Sequence, residues 1–179
     1  MRFHCRRVVL CAAVAVLLLA PAAHPQETVI FTRHAEKSVN PPTDPSLTEA
    51  GQRRAELLAV MLADSGVGAI YVTELRRTQQ TAAPLAERVH IKPTIVPAKD
   101  VNQLVNDIRS RKTGVVVVVG HSNTLPKIIA ALGGPSLEIP DDRYDNLFIL
   151  TLEPTRSALL RIHYGDAMPV ATQAGTMIK

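Results

Sequence analysis

Cysteine is almost missing from this 179-residue chain: there are two, Cys5 and Cys11, both within the first 23 residues. The remainder therefore makes no disulfide and no thiolate metal site, even in a compartment that would permit disulfides. A surplus of one charge is missing too. The chain has 20 Lys+Arg and 16 Asp+Glu, but Arg2, Arg6 and Arg7 fall in the first 23 residues, which hold no acid. From residue 24 onward 17 basic residues stand against 16 acidic, a net charge of +1. That balance excludes a global basic field for nucleic acid or for a membrane surface. Tryptophan is absent, and so are Gly-x-Gly-x-x-Gly, the P-loop and any His-x-x-x-His spacing. Gly120-His121-Ser122-Asn123-Thr124 lacks the second glycine of a nucleophile elbow. No repeat or low-complexity tract is found.

Long apolar runs are missing as well. Residues 8–20 are apolar, short of the ~20 residues that cross a bilayer comfortably. A basic stretch before them and Ala20-Pro21-Ala22-Ala23 after them complete the three parts of an export signal. The expectation is a signal peptide over 1–23, one domain over 24–179, and a periplasmic or secreted location in a bacterium. Contact with the membrane would come only through an uncleaved leader. With 46% apolar residues, one domain of this length fills a single core.

What is present is an alternation of short β-branched runs and helical periods. Residues 28–32, 69–72, 94–96 and 115–119 read as buried strands. The five consecutive valines at 115–119 need burial on both faces, which places them at the centre of a parallel sheet. Residues 147–152 and 158–163 read as an antiparallel rim. Pro41, Pro42 and Pro45 make 39–46 a loop. Thr48 caps a helix in which Arg53, Ala55, Leu58, Ala59 and Leu62 set the period, and Gly66 and Gly68 end it. Further helices are expected over 78–89, 101–111 and 123–132, the last with Pro126 in its first turn and Gly133-Gly134 as its stop. No pattern follows Gly165. The whole predicts an α/β fold, a three-layer α/β/α sandwich with a mostly parallel central sheet. Such sheets bind ligands beyond the carboxyl ends of their strands.

Three polar segments arrive at that edge, each directly after a strand: Thr32-Arg33-His34-Ala35-Glu36-Lys37, Leu75-Arg76-Arg77-Thr78 and Gly120-His121-Ser122-Asn123. Two arginines and two histidines delivered to one sheet edge suit a dianionic phosphoryl group, and so a phosphatase with a nucleophilic histidine. Ser122 and Asn123, at a helix start, would add backbone N–H groups to anion binding. No metal or cofactor is expected, because the arginines supply the positive charge. Arg76 reads as a solvated charge, and Thr73 and Thr81 as structural. Asp141, Asp142, Arg143 and Asp145 read as a solvated loop that could edge the pocket. Tyr144 and Phe148 read as core or pocket wall, and His90 and His163 as surface or strand-end histidines.

These segments carry a resemblance to the histidine phosphatase (phosphoglycerate mutase-like) superfamily, short branch. Arg33-His34-Ala35 matches its Arg-His-Gly/Ala signature. Thr73, Leu75, Arg77, Thr78, Thr81 and Ala82 match the signature after the second strand, and Gly120-His121-Ser122 the Gly-His signature after the central strand. The resemblance spans residues 28 to about 152. It implies that His34 is the nucleophile, forming a phosphohistidine, and that Arg33 and Arg77 clamp the phosphoryl oxygens bidentately. His121 would be the second imidazole on the transferred group, with Ser122 in the same phosphate pocket. The family often places an acid just after strand three, which makes Asp100 the expected proton donor; Glu36 and Glu74 are the competing carboxylates. The longer acidic signature of the larger members is absent. The expected function is an exported, metal-independent phosphomonoesterase acting on a small phosphorylated molecule or a cell-envelope phosphate group. Two alternatives stay open: a non-catalytic phosphate-binding module on the same fold, and a phosphohistidine protein phosphatase, which fits the size but not the export signal.

Overall fold

The computed structural model describes residues 27–111, 114–153 and 157–166. The expected leader and the stretch beyond Gly165, apart from Asp166, lie outside the described residues. Ten elements follow one another: β1 (Glu27–Arg33), α1 (Glu49–Leu62), β2 (Val67–Val72), α2 (Arg76–Val89), β3 (Thr94–Ile95), α3 (Val101–Ser110), β4 (Val115–Gly120), α4 (Leu125–Ala131), β5 (Asn146–Leu152) and β6 (Ala158–His163). The strands form one sheet in the order β3-β2-β4-β1-β5-β6. β3, β2, β4 and β1 are mutually parallel; β5 and β6 run antiparallel as the rim. The fold is thus the expected α/β/α sandwich.

The valine run accounts for the layering. Val116 and Val118 face a core shared with α3 and α4, built with Leu104, Ile108, Leu125 and Ile129. Val117 and Val119 face the opposite core, with Leu58 and Leu62 of α1 and Leu85 of α2. Side chains alternate across a strand, so a strand covered on both faces is apolar at every position.

Several local expectations shift. On α1 the buried basic residue is Arg54, not Arg53, which is exposed. Thr48 does cap the helix, its hydroxyl accepting from the Gly51 amide. Gly66 turns the chain at φ +73°, but Gly68 belongs to β2, where the register slips between Val67 and Ala69. β3 keeps only two residues, although the Val96 amide still donates to the Val72 carbonyl. α4 starts at Leu125, so Ser122 and Asn123 lie in the preceding turn rather than at a helix start. Asp145 is buried, accepting from His163 and facing Arg143, and is not part of a solvated loop.

Candidate active site

β1 and β4 pair in parallel with Arg33 opposite Gly120, so the residues that follow them, His34 and His121, emerge side by side. Their ring centroids are 5.4 Å apart at 61°. The His34 amide donates to the Gly120 carbonyl at 2.9 Å, extending the ladder one step past the strand end. Gly120 leaves space that a side chain would take: a Cβ there would lie 2.7 Å from Cδ2 of Leu125. β2 delivers Arg77 as the second residue of α2.

The tautomer of His34 follows from one hydrogen bond. Nδ1 of His34 lies 2.8 Å from the Ala35 carbonyl. A carbonyl only accepts, so Nδ1 carries the proton and the neutral ring presents a bare Nε2. Burial pushes the His34 pKa down to about 3; the Ala35 carbonyl opposes this, and Arg33, His121 and Arg77 add repulsion. Burial likewise lowers His121 to about 4, with Arg77 adding to the shift and Glu74 opposing it. Nε2 of His121 is 3.1 Å from the Thr73 hydroxyl, which also accepts from the Leu75 amide. Thr81 ties in the same way: its hydroxyl accepts from the Ala35 amide. Both threonines read as structural thus hold the site together.

The arginines differ. Arg33 commits Nη1 to the carbonyls of Pro140, Asp141 and Arg143, at 3.3, 2.6 and 3.2 Å, and stacks 4.3 Å over the Tyr144 ring. It pins the 140–144 segment as well as facing the cleft. Nη2 lies 3.9 Å from the Asp141 carboxylate, so Nε is the nitrogen left for an anion in place of a fully free fork. Arg77 makes no side-chain hydrogen bond among the described residues. Nε of both arginines is buried and without a partner. A buried, unsatisfied guanidinium nitrogen is costly unless an acceptor arrives, and an oxyanion is the acceptor that fits.

These side chains floor a cleft of about 770 Å³. Ser122 lines it, its hydroxyl donating to Asp141 at 2.5 Å. Asp141 is held below the usual carboxylate range, first by Ser122 and then by Arg33. Asp100, the expected proton donor, is not among the residues that line this cleft: it sits at the start of α3 and lines an adjoining small apolar cavity, which shares Ala98, Val101 and Thr124 with the cleft. Glu36 is engaged by Arg54, at 2.7 Å. Glu74 accepts from the Ala98 amide at the cleft's edge. Sequence reading missed Lys37, Lys99 and Lys127, which also line the cleft; they lie in loops or on a short helix, and no periodicity announced them. Among the described residues, no three His, Cys, Asp or Glu side chains are grouped to hold a metal.

Residues 29–100 match the histidine phosphatase superfamily (branch 1). A 70-residue stretch is 37% identical to phosphoserine phosphatase 1 of Hydrogenobacter thermophilus, covering 36% of this chain and 33% of that protein. The match therefore spans about a third of the curated relative's length. The fold is shared with the protein histidine phosphatase SixA, solved with tungstate, at a TM-score of 0.64 and 16% identity over 76% of this chain and 96% of that one. It is shared as well with a phosphoserine phosphatase of Entamoeba histolytica, at a TM-score of 0.59 and 14% identity over 74% and 94%.

Proposed function

We propose that this chain, which over residues 29–100 belongs to the histidine phosphatase superfamily, hydrolyses phosphomonoesters through a phosphohistidine on His34. The observation that carries this reading is the bare Nε2 of a neutral, buried His34 beside two buried guanidinium nitrogens that lack an acceptor. Nε2 attacks phosphorus in line, the P–O bond to the leaving group breaks, the phosphoryl group rests on His34, and the departing oxygen takes its proton from water in the open cleft. Nε of Arg33 and the Arg77 guanidinium stabilise the equatorial oxygens, the main contribution in phosphoryl transfer. His121, neutral and oriented by Thr73, hydrogen-bonds a further oxygen.

Water then cleaves the P–N bond. Asp141, the carboxylate that lines the cleft, is kept ionised and so is in the state of a base; it takes the proton of the attacking water. The cationic side chains supply the charge compensation, with no metal required. We place the reaction outside the cytoplasm, on the strength of the export-type leader at residues 1–23.

The test is turnover of an aryl phosphate in the presence of EDTA from about pH 4 to 8, the range over which an unperturbed histidine would titrate. His34→Ala runs alongside, with a rapid alkaline quench. The expected result is EDTA-resistant turnover with acid-labile protein phosphate on the wild type and none on the variant. Phosphate binding without turnover or label would make the chain a binding module instead. Loss of activity to EDTA would refute the metal-free chemistry.

A further inference from the structure

The cleft carries more positive charge than one phosphoryl group uses. Lys37, Lys99 and Lys127 line it together with Arg33 and Arg77, and Asp141 is the one carboxylate among the lining residues. Elsewhere the pattern is the opposite: Arg53 faces Glu49, Arg54 Glu36, Arg76 Asp44, Arg88 Glu56 and Arg143 Asp145. Every ion pair among the described residues uses an arginine or His163, so none neutralises a cleft lysine. Unmatched cations are thus concentrated in one concavity of a domain that is otherwise nearly neutral.

The three lysines are not equivalent. Lys37 is close enough to Asp141 to help hold it ionised, behind the stronger effects of Ser122 and Arg33. Lys99, just ahead of α3, and Lys127, in α4, make no ion pair among the described residues, and the carboxylate at this edge of the cleft, Glu74, is engaged by the Ala98 amide. A phosphoryl group at His34 is matched by Arg33 and Arg77 and leaves these two ammonium groups unanswered. An ammonium is a compact point charge on a flexible stem, suited to an anion whose position varies with the substrate. A concave wall of one sign also focuses its field on the incoming ligand.

We propose that the cleft selects phosphomonoesters whose leaving portion carries a second anionic group, held by Lys99 and Lys127. The inference rests on the phosphomonoesterase reading of the same site. A second phosphate and a carboxylate share the required chemistry.

Three esters with one four-carbon skeleton separate the possibilities: butyl phosphate, 4-(phosphonooxy)butanoate and butane-1,4-diol bisphosphate. The wild type is expected to favour a doubly anionic ester over butyl phosphate by about tenfold or more in kcat/KM at low salt. The ester that gains more identifies the second group. In Lys99→Gln/Lys127→Gln the ratio should fall towards unity through KM. Lys92→Gln removes a positive charge outside the cleft and should leave the ratio as it was. Equal kcat/KM for all three esters in the wild type would overturn the second-anion inference and leave the phosphatase reading standing. A preference that survives the double substitution would overturn the assignment to these lysines. No turnover of any ester, with no phosphoenzyme, would instead remove the phosphatase reading on which the inference rests.

Discussion

Arg54 and Arg77 are both arginines drawn into the body of the domain, and they do opposite things there. Arg54 donates Nε and Nη2 to the Glu36 carboxylate and Nη1 to the Tyr164 carbonyl, at 2.6–3.0 Å. Arg77 faces the cleft with a buried Nε that has no acceptor. The β1–α1 connection serves both regions, since His34 points to the cleft and Glu36, two residues on, to Arg54. A saturated guanidinium is structural cement, whereas an unsaturated one waits for an anion.

Methionine at each position should break this comparison in opposite directions. Arg77→Met is expected to cost about 10²–10³-fold in kcat/KM, as for loss of one preorganised donor to transition-state charge, with little change in the urea midpoint. Arg54→Met strands Glu36 and should cost about 3 kcal/mol of stability, the low end for a broken buried pair because Glu36 keeps some exposure. Paired urea melts and steady-state kinetics read both effects, and a large stability loss in Arg77→Met would dissolve the distinction. A smaller effect tests the joint between the regions. A Cβ on Gly51 would overlap the Glu36 carbonyl oxygen, so Gly51→Ala should cost about 1–3 kcal/mol, as overpacking does. It should also lower activity, because the displaced segment carries His34; unaltered melting and kinetics would show that the two elements do not bear on each other.

A separate test is acid stability. His34 and His121 are held neutral, at about 3 and 4 against an ordinary 6.5. As pH falls below 6.5 the unfolded chain takes up protons that the folded one refuses, so stability present at neutral pH drains away between 6.5 and those lower values. Urea midpoints from pH 7 to about 4 should therefore decline more steeply in the wild type than in His34→Asn/His121→Asn. Added phosphate, by favouring the protonated imidazoles, should flatten the wild-type curve. His34 itself stays neutral throughout this range, so if it is the proposed nucleophile, activity should be retained well into acid.

The readable parts of the molecule were those governed by burial on a regular element. The valines of β4 admit one position in one kind of sheet, and Arg33-His34, Arg77 and His121 had to reach its edge because each directly follows or closely trails a parallel strand. What stayed illegible is what loops decide. Arg54 falls on the same helical face as Leu58 and Leu62, yet a charged residue reads as solvated until Glu36 is seen beneath it. Asp100 sits close enough in sequence to suggest a donor, but the turn after Val96 delivers it to a neighbouring cavity. Asp141 and the three lysines enter the cleft on segments whose course no periodicity sets.

β1 is hydrogen-bonded along both edges, to β4 on one side and to β5 on the other. Exposing the amides of Ile30 or Phe31 to exchange therefore means unzipping the middle of the sheet, an opening as costly as unfolding itself. The 140–144 segment, which gives Asp141 and Tyr144 to the cleft wall, is tied to the end of β1 by Nη1 of Arg33 and to the β4–α4 turn by the Ser122–Asp141 hydrogen bond. The backbone that positions His34 thus belongs to the slowest-exchanging part of the domain, whereas the 140–144 segment, held through side chains, should exchange faster.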